Sequence, residues 1–191
     1  MMENIKRHLA KPIRLEHEKI NELEPADMYD LMAIQDFLDS NNIVSAQEKM
    51  EKIPPEKRDH PSVLYIAYQI HATLHEWNKA THNADSLFRQ IPDCPEAWVI
   101  LAETASHKPD GSLLEAKDIL IKAEAKFPGN FLISLKLAGC CVQLLQFDEA
   151  DRWIKQSMAI DHERVRQIAG NDENLMQLSS VRAVSTKHSG V

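Results

Sequence analysis

The sequence is poor in glycine, in long apolar runs and in basic residues. Its 191 residues include 5 glycines, and its β-branched residues do not form alternating runs. A sheet needs frequent tight turns, so this composition favours helices. The longest apolar run, residues 97–102, is too short to span a membrane. With 22 basic and 29 acidic residues the net charge is -7, which argues against a nucleic-acid partner because neutralising phosphates requires a basic surface.

Cysteine is also scarce, and its placement disfavours a disulfide or a metal site. The chain has 3 cysteines, Cys94, Cys140 and Cys141. The adjacent pair would point about 100° apart on a helix, too far apart for a shared site. We therefore expect reduced, buried thiols and a cytoplasmic location, since the N-terminus lacks an apolar signal-peptide core. The content of 43% hydrophobic and 27% charged residues predicts a soluble globular chain.

An internal period of about 34 residues runs through the chain. Ala46, Ala80, Ala116 and Ala150 are separated by 34, 36 and 34 residues, and the two additional residues lie in the loop 107–112. Pro61 and Pro95 show the same spacing of 34 residues. Two independent series with one period predict an array of helical repeats.

Each period divides into two amphipathic helices joined by a short turn. We predict four units, 27–60, 61–94, 95–130 and 131–164, after an N-terminal arm, 1–26, that is partly helical or flexible. A capping helix, 165–178, should cover the last apolar face of the array, followed by a disordered tail, 179–191. The small alanines of the period should let paired helices approach each other closely.

The units resemble the tetratricopeptide repeat (TPR), whose first helix carries Leu and a small residue and whose second helix carries Ala, a large apolar residue and Ala. The third unit matches best, at Trp98, Leu101, Ala102, Ala116, Leu120, Ala123 and Pro128. The resemblance covers about residues 27–164 and departs from the pattern at Tyr68, where the family has a small residue. It implies an all-α, right-handed α–α superhelix, a TPR-like solenoid of about four units. It also implies a non-catalytic adaptor that binds a protein or peptide.

In TPR proteins the first helix of each unit lines a concave groove, and the resemblance assigns groove positions in this chain. These are Tyr65, Gln69, Thr73, Glu96, Val99, Glu103, His107, Leu132, Leu135 and Gln143. Such a surface suits an extended or helical peptide whose backbone meets amide side chains. The acidic centre predicts a neutral or basic partner and binding that weakens with salt. The N-terminal arm is an alternative occupant.

Three other interpretations remain open. One is a bacterial secretion chaperone, a role of three-repeat TPR proteins of similar length and acidity. Another is a metal-dependent enzyme, because His71 and His75 would share one face of a continuous helix, although a usable site needs three or four ligands. The third is a homo-oligomer, since arrays with incomplete caps associate. The sequence contains no nucleophile motif or phosphate-binding glycine loop, so we expect no enzymatic activity and no cofactor.

Overall fold

The computed structural model describes residues 23–178 and Val181, and these form α-helices and two short 3-10 helices without a strand. The α-helices are α1 (Pro25–Asp39), α2 (Ile43–Met50), α3 (Pro61–Thr73), α4 (Trp77–Gln90), α5 (Pro95–His107), α6 (Leu113–Lys126), α7 (Phe131–Gln143), α8 (Phe147–Ile160) and α9 (His162–Ala169). The 3-10 helices are Pro55–Lys57 and Leu175–Gln177. No helix in this part of the chain is both long and apolar enough to cross a membrane.

The helices pack in consecutive pairs within two compact units, which divide between Pro92 and Asp93. In the first unit α1 packs on α2 and α3 packs on α4, and α1 also contacts α3. In the second unit α5 packs on α6 and α7 packs on α8, α5 contacts α7, and α9 packs on α8. We call α1, α3, α5 and α7 the first helices and α2, α4, α6 and α8 the second helices.

The first helices begin at residues suited to a helix N-terminus. Pro25, Pro61 and Pro95 each occupy the first helical position, where the absent N–H would have had no partner within the helix. Helix α7 begins instead at an N-cap residue, Asn130, whose side chain accepts hydrogen bonds from two backbone N–H groups of the first turn. These local signals set the start of each repeat.

Three of the helix pairs turn through one motif. Asn41, His75 and Leu145 follow the first helix of their pairs and have φ values of 58°, 57° and 60°. At each of them the next backbone N–H bonds to the carbonyl five residues back, as Glu76 N does to His71 O at 2.9 Å. This pattern is the Schellman motif, which requires a left-handed residue. The α5–α6 loop does not use this motif. It contains Gly111, where a Cβ would clash with the Ala105 carbonyl oxygen.

The periodic alanines lie at the centre of the helix pairs, as the sequence predicts. Ala46, Ala80 and Ala150 are 0% exposed and Ala116 is 3% exposed. Since a methyl group is the only side chain at these points, the two helices of a pair can approach closely. The alanines of α2 and α6 belong to apolar clusters built from both helices of their own pairs.

The C-terminal segment differs from the predicted capping helix over 165–178. Helix α9 starts earlier and ends at Ala169, with Gly170 as its C-cap, and a separate 3-10 helix follows. Gly170 keeps a right-handed backbone, with φ -68°, and the low helix propensity of glycine favours an end at this point. The apolar residues expected to cap the array, such as Val165 and Leu175, are nevertheless buried. Val181 is also buried, in contrast to the disordered tail expected there. The rest of 179–191, and 1–22 of the N-terminal arm, lie outside the described residues.

Candidate functional site

Two glutamines link the first helices of the first unit. Gln69 Nε2 donates to Gln35 Oε1 at 3.0 Å, and Gln35 Nε2 donates in return to Gln69 Oε1 at 3.4 Å. The two residues are 34 positions apart, one repeat, so they occupy the same place on α3 and α1. Gln35 Nε2 also donates to Asp39 Oδ1 at 3.0 Å. The face of these helices therefore carries a connected row of polar groups.

The neighbouring candidates on α3 extend this row. Thr73 lies one turn after Gln69 and donates its hydroxyl to the Gln69 backbone carbonyl at 2.8 Å. Tyr65 lies one turn before Gln69, is half-buried, and packs against the apolar cluster of the first unit. Positions four residues apart share one face of a helix. The three predicted residues of this unit thus lie along one stripe of α3.

The second unit has an ion pair at the corresponding place. Lys136 Nζ on α7 lies 3.4 Å from Glu103 Oε2 on α5, and the two side chains are 27% and 22% exposed. Glu103 follows Gln69 by 34 residues, so a carboxylate replaces the amide of the first unit. Lys136 compensates its charge, which makes this surface less acidic than the sequence suggests.

Glu96, at the start of α5, is also engaged. Its Oε2 accepts a hydrogen bond from the Cys94 thiol at 3.0 Å. Burial, followed by this contact, raises the pKa of Cys94 to about 12. A thiol with so high a pKa is a poor nucleophile, because the thiolate is the reactive form. The contact with Glu96 therefore does not activate Cys94 as a nucleophile.

The ten predicted groove residues differ in how much surface they offer. Gln69, Val99, Leu132 and Leu135 are buried, Tyr65, Thr73, Glu96 and Glu103 are half-buried, and His107 and Gln143 are exposed. Val99 and Leu132 belong to the apolar core of the second unit, so their side chains contribute to packing and not to an open surface. The half-buried and exposed polar members offer surface to a partner, whereas Gln69, at 6% exposed, offers little.

One residue on this face was missed by the sequence analysis. Gly139 lies in the interior of α7, 36 residues after Glu103, which is one repeat with the enlarged loop included. A Cβ at this position would have no described atom within 4 Å. No tight packing requires glycine there. The signal in the sequence was the period itself, which places Gln35, Gln69, Glu103 and Gly139 in one series.

The histidine pair does not form the metal site that one of the alternative interpretations requires. Helix α3 ends at Thr73, and His75 lies beyond it with φ 57°, so the shared helical face assumed for His71 and His75 does not exist. His71 Nδ1 instead bonds to Glu76 Oε2 at 2.7 Å, and the His75 ring lies against Trp77. Within the described residues no three His, Cys, Asp or Glu side chains are grouped to hold a metal ion.

No family model matches the sequence, and neither does a curated protein. Three solved structures resemble the chain. TTC0263, a thermophilic TPR protein in Thermus thermophilus, has a TM-score of 0.65 at 20% identity, over 73% of this chain and 77% of that chain. YrrB, described as a TPR protein with an unusual peptide-binding site, has a TM-score of 0.51 at 11% identity, over 78% and 80% of the two chains. MamA AMB-1 has a TM-score of 0.54 at 14% identity, over 87% and 93%. At these identities the likeness concerns the fold, and it confirms the resemblance that the repeats predict: the chain has the all-α fold of TPR proteins.

Proposed function

We propose that this protein is a non-catalytic adaptor, which binds a peptide or helix of a partner protein on the faces of its first helices. The fold supports this proposal, since TPR-type helix pairs present repeated side chains along a surface. One structural relative is described as having a peptide-binding site.

The observation that carries the proposal is the amide pair of Gln35 and Gln69. A glutamine amide has two N–H donors and an oxygen with two lone pairs. Gln69 uses one donor and one lone pair for Gln35, and one of each remains. Since Gln69 is only 6% exposed, a bound segment would reach them only by packing closely against α1 and α3. The reciprocal bond fixes both amides before binding, so less side-chain entropy is lost when a partner docks.

The charges on these faces favour a neutral or basic partner segment. Asp39 lies beside the glutamine pair, and Glu96 and Glu103 lie on α5 of the second unit. Lys136 offsets only one of these carboxylates. A basic segment would gain from the remaining negative charge, and its affinity would fall as salt screens the attraction.

A comparison of two double variants tests the proposal. Gln69→Ala with Glu103→Arg alters the first-helix faces, whereas Gln90→Ala with Glu48→Arg makes the same chemical changes at exposed positions of second helices. Peptides selected from a displayed random library against the native chain should bind the control variant normally and the first variant at least about tenfold more weakly. Circular dichroism must show intact helices in both. Equal binding to both variants would refute the assignment of this surface.

A further inference from the structure

A cavity of about 350 Å³ lies in the first unit, between α2, the segment that follows it, α3 and α4. Its floor is apolar and consists of Met50, Leu64, Ala67 and Ile70. The last three of these side chains are at most 8% exposed. Ligand pockets typically have volumes of about 300–1,000 Å³ and apolar linings with a few polar groups, so this cavity has the size of a site for a small molecule.

The cavity is distinct from the surface in the proposed function. Ala67 and His71 line it, and each lies two positions after a residue of the polar stripe, Tyr65 and Gln69 respectively. Two positions correspond to about 200° around a helix. The cavity therefore opens on the opposite side of α3, and a ligand there would not compete for Gln69.

Arg58 provides a fixed positive charge at the cavity. Its Nε donates to Ile53 O at 3.0 Å and its Nη2 donates to Glu51 O at 2.9 Å. A guanidinium has five N–H donors, so three remain. Arg58 forms no ion pair with a carboxylate of the described chain, and it lines the cavity. A guanidinium positioned by two backbone carbonyls is well suited to recognise a carboxylate.

Imidazole, carboxylate and amide groups line the rest of the cavity, together with Lys79, whose charge is paired with Glu76 at 3.1 Å. His71 and His82 line it, and His71 Nδ1 donates to the Glu76 carboxylate. The carboxylates of Glu51 and Asp59 also line the cavity. They would repel a multiply charged anion such as phosphate more than they would a single carboxylate.

We propose that the cavity binds a small organic monocarboxylate with an aromatic or branched aliphatic body. The carboxylate accepts hydrogen bonds from the free N–H groups of Arg58, and the apolar body covers Leu64, Ala67 and Ile70. This recognition needs both the charge and the apolar body. A cationic or uncharged molecule of the same shape keeps the burial of the apolar body but loses the hydrogen bonds of the carboxylate to Arg58.

Titration of the full chain with benzoate, benzyl alcohol and benzylamine, followed by NMR, tests the proposal. Benzoate should shift the signals of His71 and His82 saturably in the low millimolar range, at least about tenfold more tightly than the other two probes. Arg58→Gln should weaken benzoate binding about tenfold or more. The matched control Arg89→Gln removes the same charge from α4 outside the cavity and should leave the affinity unchanged.

Arg58→Gln also removes two bonds to backbone carbonyls and can lower stability, so a second variant is needed. Ala67→Leu keeps Arg58 and fills the floor, and it should abolish benzoate binding while the melting temperature shows a folded chain. Benzylamine binding as tightly as benzoate would overturn the proposal. So would benzoate binding retained in Ala67→Leu, an equal loss in Arg89→Gln, or no saturable shift up to about 20 mM benzoate.

Discussion

Leu145 occupies a backbone conformation that suits glycine or asparagine. Its φ is 60°, and the Schellman bonds Leu145 N to Val142 O at 2.9 Å and Gln146 N to Cys141 O at 2.8 Å hold it there. The side chain is 75% exposed, so little packing is lost when it is removed. We predict that Leu145→Gly stabilises the protein.

The expected gain follows from two opposing contributions. A residue with a Cβ in the left-handed region destabilises the folded state by about 1–2 kcal/mol. Glycine has no Cβ and avoids this cost. Glycine gives back about 0.4–1 kcal/mol because it is more flexible in the unfolded chain. Removing the leucine side chain also loses the burial of about a quarter of its surface, which lowers the gain by a few tenths of a kcal/mol. At the middle of these ranges the net gain is about 0.5 kcal/mol, and the melting temperature should rise by about 1–2 °C for a chain of this size.

Thermal and urea unfolding, followed by circular dichroism, measure this gain. Leu145→Ala is the matched control, because alanine removes the exposed apolar group but retains the left-handed strain. Asn41→Gly is a second control, since asparagine already tolerates φ 58°. Glycine at 145 should therefore stabilise more than alanine at 145 or glycine at 41. If Leu145→Ala stabilised the chain as much as Leu145→Gly, the solvent exposure of leucine and not the backbone would be the cause, and the reasoning would be refuted.

Three further predictions concern buried polar groups. The Thr81 hydroxyl is buried without a described hydrogen-bond partner, so Thr81→Val should raise the free energy of unfolding in urea by about 1 kcal/mol. Burial lowers the pKa of His60, so the unfolded chain binds protons first as the pH falls. Stability should decrease below pH about 6.5, and urea midpoints of His60→Asn should lack this component. Burial raises the pKa of Cys94 to about 12, of Cys140 to about 11, and of Cys141 above its usual range. Mass spectrometry should show slow iodoacetamide labelling of the native chain and rapid labelling of all three thiols once it is unfolded; rapid native labelling would contradict the raised pKa values.

The close packing of the paired helices could be predicted from the sequence. The alanine period identifies a steric requirement, because a larger residue at Ala80 or Ala150 would separate the paired helices. The same reasoning failed where the backbone left the helix. His71 and His75 have the spacing of one helical face, but the helix ends at Thr73 and His75 itself has a left-handed backbone. The 34-residue spacing of Asn41 and His75 was the available signal, and it is weak because neither residue is glycine.

The exposure of the groove positions was less predictable. The place of a residue in the repeat fixes its direction around the helix, but it does not fix how much of its side chain is exposed. The series Gln35, Gln69, Glu103 and Gly139 shows why. The four share one place in the repeat, yet they contribute an amide pair, half of an ion pair and a bare backbone. Gly139 costs about 1 kcal/mol in a helix interior, and no described atom crowds its Cβ position, so packing does not account for it. Packing constrains the alanines more than this series, which is why our proposal places partner binding on the series and not on the alanines.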